Sequence, residues 1–157
     1  HPAAAFETKQ WPVANFARTA EKLADLGLTT VAVAAKSELA LLESLKRECS
    51  ARIETFGDLS LPEITALASR SDVFVGNDSG IAHIAAAVGT PTVVIFGSSN
   101  VNHWRPWTDA PNAVVREELP CQPCAGYECK EFGEPRCIQN VPVAAVISAA
   151  EKVLEQK

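Results

Sequence analysis

A short polar turn, Asp78-Ser79-Gly80, stands between a run of apolar residues and an Ala-rich segment that carries His83. The pattern predicts a buried strand, a tight turn, a short helix and a second buried strand at Thr92 to Phe96, which together form a parallel βαβ unit. The turn then lies at the carboxyl end of the first strand, where open α/β sheets bind their ligands. A helix that begins at Ser79-Gly80 directs free amide groups and the positive end of its dipole at that crevice. The sequence therefore predicts an anion site, and a phosphate is its natural ligand.

The same turn also has a purely structural interpretation. Asp78 or Ser79 can simply cap the helix, and Gly80 can relieve crowding between helix and strand. His83 follows Ser79 by four residues and lies on the same helix face, which favours a ligand contact. A single histidine on an Ala-rich helix is, however, more often a packed core residue, so the turn needs support from elsewhere in the chain.

Lys9 is the second candidate. It lies in Thr8-Lys9-Gln10-Trp11-Pro12, just before the first predicted helix, and parallel topology places this segment on the same sheet edge as the Asp78 turn. An ammonium group there can set a point charge against a phosphate. The alternative is a solvated lysine beside a tryptophan that packs against the start of the helix.

Four cysteines in a loop-rich segment, residues 119–138, are the third candidate. Thiolates of Cys121, Cys124, Cys129 and Cys137 could converge on zinc or iron. Two disulfides, which need an oxidising compartment, and free thiols are the alternatives. The fifth cysteine, Cys49, is interpreted as a small buried hydrophobe of a predicted helix.

Helices and strands alternate along the chain. Periodicity predicts helices over 12–26, 37–48, 60–69 and 142–155, and strands over 29–35, 52–56, around 73–77, 92–96 and 113–116, with a loop over 98–112. Gly27 is the expected stop of the first helix, and Ser60 with Glu63 has the spacing of a capping box. This alternation predicts an α/β fold with a Rossmann-like, doubly wound parallel sheet, in one domain over residues 1–157.

Composition restricts the classes of function. The chain has 157 residues, of which 47% are hydrophobic and 21% charged, and its net charge is −5. This charge argues against a broad nucleic-acid or anionic-membrane surface, and no apolar run approaches the roughly 20 residues of a membrane span. The chain has no methionine and begins with His1-Pro2, a dipeptide typical of the end of a strand or a linker. We therefore expect a fragment cut at a domain boundary, with part of its active site elsewhere.

The motifs together resemble the carboxyl-terminal domain of glycosyltransferase family 9, the ADP-heptose:lipopolysaccharide heptosyltransferases. The resemblance runs from His1 to the final helix and rests on these segments: Thr8-Lys9-x-Trp11-Pro12, Ser60-Leu61, Gly76-Asn77-Asp78-Ser79-Gly80-x-x-His83-x-Ala85-Ala86-Ala87-x-Gly89-x-Pro91-Thr92, Phe96-Gly97 and Cys121-x-Pro123-Cys124. The block from Asp78 to Gly97 is the most specific of them.

This resemblance implies the nucleotide-sugar-binding, carboxyl-terminal half of a GT-B enzyme, in which the amino-terminal acceptor domain is absent from this chain. Asp78, Ser79 and Gly80 would hold the donor diphosphate and His83 would line the pocket. Lys9 would neutralise the leaving group, and Glu38 would accept the ribose hydroxyls. Transfer would need no cofactor, which fits a lysine and a helix terminus in that electrostatic role.

The reaction that the resemblance implies is the inverting transfer of heptose from ADP-heptose to the lipopolysaccharide inner core. The partners are then an ADP-sugar and, through the missing domain, a lipopolysaccharide-type acceptor, in the bacterial cytoplasm at the inner face of the inner membrane. The general base belongs to the other domain, so we expect this chain to bind nucleotide without turnover. The alternatives are a non-catalytic nucleotide-binding module and a metal-stabilised structural or assembly module.

Overall fold

The computed structural model describes residues 1–124 and 127–157, and strands alternate with helices along them. The strands are β1 Thr30–Val33, β2 Ile53–Phe56, β3 Phe74–Asn77, β4 Thr92–Phe96 and β5 Asn112–Arg116. The helices are α1 Val13–Asp25, α2 Leu39–Glu48, α3 Leu61–Ser69, α4 Gly80–Ala87, α5 Val101–Trp104, α6 Arg136–Gln139 and α7 Val143–Glu155. Two short 3-10 helices, Glu7–Lys9 and Lys36–Glu38, precede α1 and α2.

All strand pairs are parallel, which confirms the predicted α/β class. The strands form two sheets, however: β1 pairs with β2, and β4 lies between β3 and β5. The expected continuous sheet is thus interrupted between β1 and β3, where a cavity of about 460 Å³ separates the two strands.

Helices cover both faces of the three-stranded sheet. All residues of β4 are buried although its side chains alternate between the two faces, so each face must be covered. Val93 and Ile95 belong to the main core, together with residues of α1, α2 and α7. Val94 and Phe96 pack with Ala82 of α4 on the opposite face. This is the doubly wound arrangement that alternating strands and helices predict.

Two local signals act as the sequence predicts. Gly27, two residues after the end of α1, adopts a φ of 82°, a conformation that favours glycine at the end of a helix. The Glu63 carboxylate accepts hydrogen bonds from the amide and the hydroxyl of Ser60 at the start of α3, at 2.8 and 2.5 Å. These bonds lower the pKa of Glu63.

The structure differs from the prediction at the start of the second helix and in the loop over 98–112. The second helix begins at Leu39 rather than Ser37, because the 3-10 turn Lys36–Glu38 comes first and Glu38 accepts a hydrogen bond from the Ala35 amide. The predicted loop over 98–112 contains α5, whose start is capped by Asn100: its Oδ1 accepts a hydrogen bond from the Asn102 amide. Of the helices in the described residues, none combines the length and apolar character needed to cross a bilayer.

His1 lies along β3. Its nitrogen donates a 2.8 Å hydrogen bond to the Val75 carbonyl, and its carbonyl accepts one from the Asn77 amide at 3.4 Å.

Candidate functional site

Lys9 and Asp78 form an ion pair at the carboxyl end of β3. Lys9 Nζ lies 2.8 Å from Asp78 Oδ2, and the two side chains are 21% and 4% exposed. Apart from this ion pair, the buried Asp78 Oδ2 has no hydrogen-bond partner. An ammonium group has three donors, so the partly exposed Lys9 can hold Asp78 and still present donors to solvent or a ligand.

Asn77 positions the segment that carries Lys9. This residue is fully buried, its Oδ1 accepts the Trp11 amide at 3.1 Å and its Nδ2 donates to the Pro2 carbonyl at 2.8 Å. Trp11 is itself fixed by an indole hydrogen bond to the Val141 carbonyl at 3.0 Å. One amide side chain therefore ties both ends of the 2–11 segment to the end of β3, next to Asp78.

The carboxyl end of β4 supports the same segment from the other side. The Ser98 amide and hydroxyl donate to the carbonyl and the hydroxyl of Thr8 at 3.2 and 2.9 Å, and both residues are buried. Gly97 lies so close that a Cβ there would overlap the Thr8 carbonyl oxygen. The Lys9 backbone is consequently held between β3 and β4.

Ser79 occupies the N-cap position of α4, but its side chain makes no capping hydrogen bond. Its hydroxyl lies 3.3 Å from His1 Nδ1 instead. Gly80 follows at the exposed first position of the helix, where the leading amides have no partner within the helix. The hydrogen bond that a simple helix cap would make is therefore absent at Ser79.

His83 and Glu38 are the remaining residues predicted to bind the donor. His83 is exposed on α4 rather than packed in the core. Glu38 is half-buried after β1, and its carboxylate accepts the Ala35 amide at 2.9 Å. The structure thus brings Lys9 to the Asp78 turn, while Glu38 remains an isolated prediction at the end of another strand.

The cysteine-rich segment packs against the end of β4. Gln122 Nε2 donates to the Gly97 carbonyl at 2.6 Å, and the Cys124 amide donates to the Ser98 carbonyl at 2.9 Å. Tyr127 stacks on Phe6 with ring centroids 4.2 Å apart, and Lys9 Nζ lies 5.8 Å from the centroid of the Phe6 ring. The segment therefore forms an outer wall of the Lys9 loop.

The thiols are unpaired, so the alternative interpretation with two disulfides was wrong. Burial, reinforced by the neighbouring Cys121 and Cys129, raises the pKa of Cys137 and Cys124. Ala125 and Gly126 lie outside the described residues. Within the described part, no group of three or more His, Cys, Asp or Glu side chains is placed to hold a metal ion. Cys49 is half-buried, and its thiol donates to the Ala17 carbonyl at 3.6 Å.

Sequence reasoning missed three positioning contacts: His1 against Ser79, Asn77 across the 2–11 segment, and Thr8 against Ser98. Each joins residues at least 66 positions apart in the chain. The one available signal was Asn77, a strongly polar residue at the end of an apolar strand.

Comparison with known proteins supplies the family. Residues 1–133 match the model of glycosyltransferase family 9 (heptosyltransferase). This chain belongs to that family. It is 34% identical over 157 residues to lipopolysaccharide heptosyltransferase 3 of Escherichia coli K12, which covers 94% of this chain and 43% of that protein. The family 9 chain thus spans less than half the length of this relative.

Solved structures agree on the fold. A family 9 glycosyltransferase from Veillonella parvula superposes with a TM-score of 0.84 at 22% identity, over 100% of this chain and 45% of that one. Escherichia coli heptosyltransferase WaaC with ADP superposes with a TM-score of 0.72 at 17% identity, over 97% and 42%. The family 9 chain therefore has the α/β fold of part of these GT-B enzymes.

The Lys9 and Asp78 pair should be strongly coupled in stability. Lys9→Met leaves the buried Asp78 carboxylate uncompensated, so we expect a loss of roughly 2–4 kcal/mol in the free energy of unfolding. Asp78→Asn in the same chain should restore most of that loss, because no buried charge remains. Urea denaturation of the two single variants and the double variant measures the coupling, and simple additivity would rule it out.

Proposed function

We propose that this chain is the nucleotide-sugar-binding part of an inverting glycosyltransferase that transfers heptose from ADP-heptose to the lipopolysaccharide inner core. Membership of family 9 supports the reaction class. The observation that carries the proposal for this chain is the ion pair of Lys9 with Asp78, held by Asn77 beside the free amides at the start of α4. Such a site is complementary to a diphosphate.

In this proposal the diphosphate lies against the start of α4. The Ser79 hydroxyl is not used in capping, so it is available to a phosphate oxygen, as are the leading amides at Gly80 and Ile81. Gly80 has no side chain and open space around it, which allows a phosphate to approach the backbone. Glu38 would accept the ribose hydroxyls and His83 would line the outer pocket.

Lys9 would act on the leaving group. As the bond between the anomeric carbon and the diphosphate breaks, negative charge accumulates on the departing ADP, and a fixed ammonium stabilises that charge more than it stabilises the intact donor. Asp78 is then a positioning residue, because it orients Lys9. A buried carboxylate next to a phosphate is tolerable only while Lys9 compensates its charge.

The acceptor and the general base would come from an amino-terminal domain that faces this one across the cleft. The acceptor hydroxyl would attack the anomeric carbon from the face opposite to ADP, which inverts its configuration. The enzyme would work in the bacterial cytoplasm, at the inner face of the inner membrane where its lipid-linked acceptor lies. Transfer would need no cofactor.

Gly80→Ala provides the sharpest test of the diphosphate site. A Cβ at Gly80 meets no atom within 4 Å, so the unliganded fold should keep its stability. The methyl group would occupy the space that the proposal gives to the phosphate, so we expect ADP affinity to fall by roughly tenfold or more. Isothermal titration of ADP, paired with urea denaturation, measures both quantities.

Ser79→Ala and Ser60→Ala form a matched pair of controls, since each serine precedes a helix. Ser60→Ala removes a hydrogen bond at α3 and should cost about 0.5–1 kcal/mol of stability without changing ADP affinity. Ser79→Ala should weaken ADP binding with little effect on stability. A wild-type chain that binds no ADP, or variants that bind it equally well, would overturn the proposed site.

The four cysteines are proposed as ligands of one structural zinc or iron ion, without any part in transfer. Their mutual proximity supports this proposal, although the described thiols do not form a three-ligand set. We expect about one equivalent of metal in protein purified under reducing conditions, as measured by elemental analysis, and much less in a Cys121→Ser, Cys124→Ser variant. Metal-free wild-type protein that is fully folded would contradict the site.

A further inference from the structure

Tyr127 and Phe6 form an aromatic pair beside Lys9. Their ring centroids lie 4.2 Å apart with the ring planes tilted by 35°, and Lys9 Nζ lies 5.8 Å from the centroid of the Phe6 ring. The Tyr127 ring is therefore within about 10 Å of the ammonium group. Phe6 is half-buried, whereas Tyr127 is 68% exposed. One aromatic face thus stays open to solvent next to the proposed diphosphate site.

The segment that carries Tyr127 is held on both sides of this residue. Before it, the Cys124 amide donates a 2.9 Å hydrogen bond to the Ser98 carbonyl. After it, Ile138 is fully buried and lies so close to Gly97 that a Cβ there would be 2.9 Å from the Ile138 Cβ. The position of the open ring relative to the diphosphate site is therefore set by contacts with the end of β4.

Phe132 shows what an aromatic ring of the same segment does in a structural role. It is 39% exposed, and Arg136 covers it, with the guanidinium carbon Cζ 4.9 Å from the ring centroid. In the described part of the chain, Phe6 is the one ring or cation that contacts the Tyr127 ring. The outer face of Tyr127 therefore has no comparable partner within the protein.

A sugar ring is the chemical class that fits an open aromatic face at this place. The C–H groups on one face of a pyranose are apolar and carry partial positive charge, so they pack on the electron-rich face of an aromatic ring. In a nucleotide sugar the pyranose is bonded directly to the second phosphate. A sugar whose phosphate binds Lys9 can therefore reach the Tyr127 ring.

The charges near this ring favour a neutral ligand over a second phosphate. Glu7 and Glu128 follow the two aromatic residues in the chain, and both are exposed. Carboxylates accept hydrogen bonds from sugar hydroxyls and repel phosphate oxygens. The ring and its acidic neighbours are thus suited to the sugar end of the donor.

We propose that Tyr127, supported by Phe6, stacks on the sugar ring of the bound ADP-sugar and determines the preference of the site for the donor over ADP. The contact disappears once the sugar has been transferred, so it weakens the binding of the product relative to the donor. This inference rests on the proposed function, because it requires the diphosphate to lie at Lys9.

The test is isothermal titration of ADP-heptose and of ADP into the wild-type chain and Tyr127→Ala. We expect the ratio of the two affinities to fall by roughly fivefold in Tyr127→Ala, while the affinity for ADP itself changes by less than about twofold. Tyr127→Phe should keep the wild-type ratio, because the ring and not the hydroxyl makes the contact.

Three results would overturn the inference while leaving the proposed function intact. One is an unchanged ratio in Tyr127→Ala with normal ADP binding. Another is an equal loss of affinity for both ligands, which would assign the ring to the base or to the fold. The third is a loss in Tyr127→Phe as large as in Tyr127→Ala, which would assign the effect to the hydroxyl. A wild-type chain that binds neither ligand would overturn the proposed function, and this inference with it.

Phe132→Ala is the matched control, since it removes an exposed ring from the same segment. Its loss breaks the contact with Arg136 but should leave both affinities within about twofold of wild type. A fall of the affinity ratio as large as that in Tyr127→Ala would show that any disturbance of the segment has this effect, and would contradict the stacking contact.

Nuclear magnetic resonance gives a direct second readout, because Tyr127 is the only tyrosine of the chain. With selectively labelled tyrosine, we expect nuclear Overhauser effects between its ring protons and the sugar protons of ADP-heptose. Addition of ADP should shift the ring resonances much less. Ring shifts with a lipopolysaccharide core saccharide, and none with ADP-heptose, would assign the ring to the acceptor and overturn the proposal.

Discussion

The buried side-chain amide of Asn77 is the contact on which the candidate site depends. Its Oδ1 accepts a hydrogen bond from the Trp11 amide, and its Nδ2 donates one to the Pro2 carbonyl. The loop between Pro2 and Trp11 is therefore held at the carboxyl end of β3. Without this contact two backbone groups would be buried without partners, at a cost of about 1–3 kcal/mol each. The loop is also the source of the only cation paired with Asp78 in the described residues. Fold stability and site geometry are therefore set by the same hydrogen bonds.

The sequence predicted the features that depend on neighbouring residues. Gly27 ends α1 because a positive φ costs glycine little, and Ser60 with Glu63 starts α3 because their spacing is that of a capping box. The βαβ unit around Asp78 was predictable for a similar reason, since apolar strands and an Ala-rich helix have distinct periodicities. The approach of Lys9 to this turn was also expected, because the carboxyl ends of parallel strands share one edge.

Long-range complementarity was not predictable in this way. The Thr8 and Ser98 hydroxyls meet across 90 positions, and no local pattern in either segment indicates the other. The division into two sheets was missed because periodicity finds strands but does not reveal whether neighbours in the sheet are present. Cysteine spacing, likewise, indicated a common site without showing whether the thiols converge in space.

Gly97 sets the distance between β4 and the Lys9 loop by backbone contact alone. Because the Thr8 carbonyl lies against the Cα of Gly97, the separation of β4 from the Lys9 loop is fixed by atoms that every amino acid possesses. In the proposed function, substitutions on the outer helices would change the preference for a base or sugar while Lys9 and Asp78 keep their positions under the diphosphate. The range of substrates would then vary without any change in the charges that bind the donor.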